Sequence, residues 1–363
     1  MIRVGVVGLG KMGLSHLSIL GAHPQVTIVG VADASGYLVD VLSKYTGIRG
    51  FSSLEEMLVE VDLDALLVAT PSRLHGPMVK AAIGKGIHVF CEKPLTLSPD
   101  VSRELAELAY THGVVTQVGY HNRFVAPFQE MHRLLNGGAI GRVTHVLAEA
   151  YGPVVLKSKG ATWRAQKSEG GGALYDYAAH PLDLLSWYVG EPIRAGGSVL
   201  GRVFSESTDD EVYSTLFYEN GTSAQLSVNW SDESYRKMTT RITATGTQGR
   251  IFADRQEVQA FFRSGAPMAK GYREGWNVRY TTDLTDPVAF YLRGEEYSAQ
   301  IDCFIDRVRR GEVAGTNDFS SAAVTDRVMD LISTDAAGKG VPASTSGSER
   351  PRARRLLSSR KSK

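Results

Sequence analysis

Three clusters in this chain combine reactive residue types at spacings that chemistry uses. The first is Gly8-Leu9-Gly10-Lys11-Met12-Gly13, which follows the β-branched run Ile2 to Val7 and opens a helical pattern. In that context Gly8 permits a tight turn, Gly10 lets the backbone approach a diphosphate, and Gly13 permits close helix-to-strand packing. The helix N-terminus adds unpaired N–H groups for the anion. Lys11 and Met12 belong to the same turn. Asp33 stands 20 residues after Gly13, at the end of the next strand-like run. A carboxylate there accepts hydrogen bonds from an adenosine ribose and repels a 2′-phosphate, so NAD is expected and NADP is less favoured.

The second cluster, Cys91-Glu92-Lys93-Pro94, follows another apolar strand. The carboxyl ends of strands in an open parallel sheet form a ligand crevice, so Glu92 and Lys93 are expected to face the cofactor. Lys93 would polarise a substrate oxygen and stabilise a developing alkoxide, and Glu92 would take a ribose hydroxyl. Pro94 fixes the turn, with a cis bond as one way to do so. Cys91 reads as a buried strand residue. Thr70-Pro71-Ser72 and His75 end a third strand in the same crevice, with His75 either reaching the nicotinamide ribose or capping its helix.

The third cluster runs from Gly170-Gly171-Gly172 through Asp176 and His180 to Asp183. On a helix these last three share one face. A histidine beside a carboxylate can be held in one tautomer and tuned near neutral pH, as proton abstraction from an alcohol requires.

The elements that must position these groups follow from periodicity. Up to about residue 120, short apolar runs (Ile2 to Val7, Thr27 to Ala32, Ala65 to Ala69, His88 to Cys91, Val114 to Val118) alternate with amphipathic segments. That rhythm predicts an α/β domain, a parallel sheet covered on both faces, over residues 1–122. Residues 123–337 read as an α+β domain. Helical patterns flank strand patterns at 144–150, 211–218, 223–230, 239–244 and 258–262, which follow one another with few helices and suggest a mostly antiparallel sheet. Residues 338–363 turn to Gly, Pro, Ser and Arg and are expected to form a disordered basic tail.

Composition narrows the function classes. Forty Lys and Arg oppose 39 Asp and Glu, a formal charge of +1. Seven of the basic residues lie in 350–363, so residues 1–349 keep 33 against 39 and carry −6. No bulk field draws nucleic acid to the folded body, and an anionic ligand must rely on local groups. Two distant cysteines, Cys91 and Cys303, exclude a disulfide framework or a metal cluster and suit a reducing compartment. Apolar stretches are too short to span a bilayer, and a cleaved leader would remove the strand that supports the glycine turn. A cytoplasmic location is expected.

Taken in order, these motifs resemble the glucose-fructose oxidoreductase / inositol dehydrogenase / MocA (Gfo/Idh/MocA) family. The supporting signature includes Ala69-Thr70-Pro71 with His75, Gly86-Ile87-His88-Val89 before Glu92-Lys93-Pro94, and Asn122-Arg123-Phe124. The resemblance implies a doubly wound Rossmann domain followed by a domain with an open-faced sheet that often serves as a dimer or tetramer interface. It implies NAD(P)-dependent oxidation or reduction of a secondary hydroxyl on a sugar, inositol or sugar derivative, with Lys93, Asp176 and His180 as the catalytic set. His180 would take the proton, Lys93 would stabilise the oxyanion, and Asp176 would bind a neighbouring hydroxyl or orient the base. Asn122 would join the cofactor site. Tyr120, His121, Arg123, Trp163, Arg164 and Lys167 would lie around the substrate, although Trp163 packing under its loop and the two cations of that loop facing solvent are equally open readings. Other branches to be distinguished are a nucleotide-sugar dehydrogenase or keto-sugar reductase, an NAD-dependent glycosidase, and a sugar-responsive regulator that lacks catalysis.

Overall fold

The structure is a computed structural model that describes residues 1–154 and 163–338. The expected basic tail lies outside the described residues, apart from Gly338. The first sheet has six parallel strands: β1 (Ile2–Val7), β2 (Val26–Ala32), β3 (Gly50–Phe51), β4 (Ala65–Val68), β5 (His88–Cys91) and β6 (Thr116–Val118). Their order is β3-β2-β1-β4-β5-β6, so the winding reverses between β1 and β4, where two strands leave a crevice at their carboxyl ends. The linking helices are α1 (Lys11–Ala22), α2 (Gly36–Thr46), α3 (Leu54–Glu60), α4 (His75–Ile83) and α5 (Pro99–Thr111).

Strand alternation divides the apolar residues between the two faces of this sheet. Val7, Leu66, Val68, Val89 and Cys91 join one core cluster; Val4, Val6, Ala65, Leu67 and Phe90 join the other. Both faces are dry, as the near-continuous apolar runs require.

After α6 (Ala126–Asn136) comes the second sheet, with β7 (Val143–Tyr151) near its centre. A helix, α7 (Ala179–Val189), then precedes β8 (Arg194–Gly201), β9 (Glu211–Phe217), β10 (Ser223–Asn229), β11 (Thr239–Gly246), β12 (Gly249–Ala253), β13 (Glu257–Phe262) and β14 (Gly275–Tyr280). The eight strands run β14-β13-β12-β11-β7-β10-β9-β8 and are antiparallel except for β7 beside β10. β3, β8, β12 and β14 are absent from the sequence reading. β3 is two residues long, β8 contains Gly196-Gly197 and a register shift, β12 is short, and β14 is an edge strand whose apolar residues Trp276, Val278 and Tyr280 are exposed.

The short helix α8 (Thr281–Leu284) precedes α9 (Glu295–Arg310) and α10 (Phe319–Gly338), which return to the first sheet. Ile301, Phe304 and Ile305 of α9 share a core with Val4, Val6, Leu17 and Leu20. From α10, Asp326 accepts hydrogen bonds from Thr96 N (3.1 Å) and Ser102 Oγ (2.6 Å). These helices lie in the segment that the sequence reading gives to the second domain, yet α9 covers the first and α10 packs between α5 of the first and α7 and β8 of the second. Periodicity reports that a helix has an apolar stripe and is silent about which partner buries it.

Candidate active site

The glycine turn has the geometry that a diphosphate needs. Gly8 adopts φ +91°, and a Cβ there would lie 2.6 Å from the Ala69 carbonyl. A Cβ on Gly13 would lie 1.8 Å from Gly8 O, so this glycine sets how closely α1 abuts β1. Around Gly10, by contrast, no atom lies within 4 Å of where a Cβ would be. That open side faces α1, whose N-cap Gly10 supplies no side chain to satisfy the first N–H groups. Lys11 is exposed and Met12 half-buried beside it. Asp33, at the end of β2, accepts hydrogen bonds from Leu9 N (2.5 Å) and Ser35 N (2.7 Å). Each carboxylate oxygen keeps a lone pair for a ribose hydroxyl. These residues fit a dinucleotide.

The loops after β4 and β5 close the crevice. Thr70 and Pro71 lie at its edge, but His75 does neither thing expected of it. Its buried ring places Nδ1 2.9 Å from Pro94 O and Nε2 2.9 Å from Thr70 O, clamping the two loops together. Burial lowers its pKa, against the opposing pull of those carbonyls. Glu92 likewise has a protein partner, His16 of α1, whose Nε2 lies 2.7 Å from Oε1. Burial pushes the Glu92 carboxyl up, but the His16 hydrogen bond and the charges of His16 and Lys93 together outweigh it and the pKa falls below the ordinary value. Sequence reasoning missed His16; its one signal is a polar side chain on the apolar face of α1, three residues after Gly13. Asn122, expected at the cofactor, is buried with its amide 3.5 Å from Thr240 Oγ1 of β11. It is a support within the fold.

The Lys93-Pro94 peptide is cis. Lys93 Nζ lies 2.9 Å from Asp176 Oδ1 and 3.0 Å from the Asp176 carbonyl, while Arg164 Nε lies 2.8 Å from Oδ2. Burial raises the Asp176 carboxyl, yet the two cations hold it well below the usual carboxylate range. Asp176 sits in a π-helical turn, Leu174–Ala178, that leads into α7. The turn is anchored by Asp209, which accepts from Leu174 N at 2.7 Å and presses on Gly172, where φ is +110° and a Cβ would meet its carboxylate at 2.5 Å.

Asp176 and His180 come together beside Lys93, but Asp183, on the regular helix α7, does not join them. Asp183 lies behind the site and binds Arg123 through Nε (2.9 Å) and Nη2 (2.6 Å), with both side chains buried. Arg123 is therefore part of the core, and the expectation that it meets substrate does not hold. Tyr120 is also buried; its ring meets His180 edge-on at 6.4 Å, so it backs the imidazole. His121 touches His180 at 5.0 Å between ring centroids and stacks on Tyr297 of α9 at 4.8 Å.

His180 differs from expectation in its titration. Burial, then the Lys93 charge, pushes its pKa down to about 3. Asp176 opposes this but directs its oxygens to Lys93 and Arg164, and the His180 Nδ1 has no partner among the described residues. The imidazole is thus neutral across the physiological range. His121 is pushed well below its ordinary value for the same first reason, burial, and then by His180. Trp163 is 38 % exposed with the Arg164 guanidinium 4.7 Å from its ring centroid, and Lys167 is exposed on the same loop.

Comparison with known proteins agrees with this geometry. Residues 2–120 match a family model described as an oxidoreductase family with an NAD-binding Rossmann fold, and residues 128–252 match the GFO/IDH/MocA C-terminal domain. The chain is 31% identical over 255 residues to a dTDP-3,4-didehydro-2,6-dideoxy-alpha-D-glucose 3-reductase of Streptomyces antibioticus, covering 70% of this chain and 76% of the relative. It is 28% identical to the scyllo-inositol 2-dehydrogenase (NAD(+)) of Bacillus subtilis (strain 168), covering 69% and 73%. Among solved structures, levoglucosan dehydrogenase in complex with NADH has the same fold, with a TM-score of 0.81 at 23% identity over 93% of this chain and 97% of that one. GenD2 from gentamicin A biosynthesis, in complex with NAD, gives 0.74 at 26% identity over 93% and 94%. With both halves of the family pattern present in one chain, the protein belongs to the Gfo/Idh/MocA family of NAD-binding oxidoreductases.

Proposed function

We propose that the protein is an NAD-dependent dehydrogenase that moves a hydride between nicotinamide and a secondary hydroxyl or keto carbon of a sugar, an inositol or a sugar derivative. The observation that carries this reading is Lys93 Nζ held 2.9 Å from the Asp176 carboxylate, beside a neutral His180, at the end of the strand that lines the dinucleotide crevice. The bound nicotinamide supplies the carbon that accepts or returns the hydride. Lys93 donates a hydrogen bond to the reacting oxygen and, as a cation, lowers the pKa of that hydroxyl. His180 then receives the proton, and the acidified hydroxyl compensates for its weak basicity. Asp176 fixes Lys93 and meets a neighbouring hydroxyl. Arg164 and Trp163 border the substrate from the loop before the glycine run, with the indole as an apolar face for a ring.

Asp33 supports NAD over NADP, since a 2′-phosphate would meet its carboxylate. The names of the inositol dehydrogenase and keto-sugar reductase relatives support the substrate class. The half-buried face of the second sheet, where β9, β10 and β13 alternate buried residues with half-buried or exposed ones, with Trp276, Val278 and Tyr280 exposed at its edge, supports self-association through that face. The test is a panel of aldoses, inositols, sugar acids and their keto forms, followed by NADH absorbance in both directions. Turnover of one class is expected. No change in NADH with any member would defeat the reading, and free sugar released from glycosides without NADH accumulation would replace it with glycosidase chemistry.

A further inference from the structure

The cations around the catalytic end are unequally engaged. Lys93 and Arg164 meet Asp176, and Arg255 meets Glu296. Arg293 has no carboxylate partner among the described residues. Its guanidinium lies over the Tyr297 ring, 5.3 Å from the centroid, and it is exposed. It is also one of two non-glycine residues with a left-handed backbone among the described residues, φ +66°. A bulky residue pays for that conformation only where the surroundings hold it.

Its position follows from how α9 lies on α1. His23, just after α1, is 3.4 Å from Asp302 of α9. One step back, the His16 and Tyr297 rings are 6.4 Å apart. Moving from 297 to 302 on one segment tracks 16 to 23 on the other, so the two helices run parallel. The start of α9 therefore lies at the same end as the start of α1.

We propose that Arg293 is a cofactor-binding residue that closes over the diphosphate of the dinucleotide opposite the glycine turn. The inference rests on the dinucleotide reading above and adds to it a cation from the far end of the chain. It also answers an electrostatic need: a body of charge −6 must hold an anion by local groups. The glycine turn offers neutral N–H groups and one exposed cation, Lys11, on its own side of the diphosphate, and Lys93 and Arg164 are tied to a carboxylate. A guanidinium suits the task because its planar fork donates two hydrogen bonds to phosphate oxygens.

The test uses the full chain and the variants Arg293→Asn and Arg293→Lys, titrated with NADH, ADP-ribose and adenosine. Asn tolerates the left-handed backbone, so Arg293→Asn removes the charge without forcing the loop to move. It should weaken NADH and ADP-ribose together by about tenfold or more, leave adenosine unchanged, and flatten the salt dependence of both weakened ligands. Arg293→Lys should recover part of the loss. ADP-ribose binding within about twofold of wild type would overturn the proposal, as would loss confined to NADH, which would move Arg293 to the nicotinamide end. If wild type binds neither NADH nor ADP-ribose, the dinucleotide reading itself fails; if it binds both and the variant is unaffected, only this inference falls. Should Arg293→Asn lose its cooperative melt, Arg293→Gly, which also tolerates the left-handed backbone, decides: ADP-ribose binding about tenfold weaker with a flatter salt slope supports the contact, and binding within about twofold of wild type overturns it.

Discussion

Asp176 is held between two cations, which separates the role of Lys93 in catalysis from its role in the fold. In Lys93→Met the carboxylate keeps Arg164 at 2.8 Å, so the protein should fold and bind NADH while turnover falls by roughly 10²–10⁴-fold. Steady-state kinetics beside an NADH titration checks this; undiminished turnover removes Lys93 from the reaction. Asp33→Ala should bring the NAD and NADP values of kcat/KM together, and an unchanged ratio would mean that another group discriminates. Legibility at this scale depended on local chemistry. The glycine turn and Asp33 are read from one β-α-β segment, whereas Lys93 and Asp176, 83 residues apart, are named separately by their motifs and meet only in the fold. Glu92 with His16 and Asp183 with Arg123 are pairs 76 and 60 residues apart, so each reads as a free functional group until the fold supplies its partner.

Elements carry the same contrast. In the first domain every strand but the two-residue β3 was legible because each is mostly apolar, and each helix has its own stripe. The π-helical turn was not, because i, i+4, i+7 spacing assumes 3.6 residues per turn, and the turn at Leu174–Ala178 is wider. Nor was the destination of α9, whose stripe is equally compatible with either sheet. At the start of α1, Gly13→Ala would put a methyl 1.8 Å from Gly8 O and force the helix away from β1. The expected result is a loss of NADH affinity of at least tenfold and a lower urea midpoint, with Gly10→Ala affecting NADH while leaving stability much closer to wild type. Equal stability losses in the two variants would contradict the open space described at Gly10.

For the whole molecule, buried titratable groups set how stability responds to pH. His180 has a folded pKa of about 3 against an ordinary 6.5, so below 6.5 the unfolded chain binds the extra proton. Its contribution is complete above 6.5 and is lost as pH falls from there towards 3, at up to about 1.4 kcal/mol per pH unit. Asp326 has the opposite sign. Burial raises it to about 7 from 3.8, so its folded form keeps a proton that the unfolded chain releases, and its contribution is lost as pH rises through 7. Asp326→Asn should therefore gain stability relative to wild type progressively from about pH 4 to pH 7 and keep a constant difference above that, measured by urea midpoints. A pH-independent difference would show that Asp326 is ionised in the folded protein. His180→Asn should flatten the acid side in the same experiment.

The return of α9 to the first sheet also orders events during synthesis. A nascent chain that ends before residue 295 already contains the glycine turn, Asp33 and the Glu92-Lys93 loop, yet the sheet face bearing Val4, Val6, Leu67 and Phe90 lacks the helix that closes it. The nucleotide half of the protein is therefore a discontinuous folding unit, dependent on contacts that close a loop of nearly three hundred residues. Such long-range closure is slow, and it leaves apolar surface open to chaperones until almost the last part of the folded chain has left the ribosome.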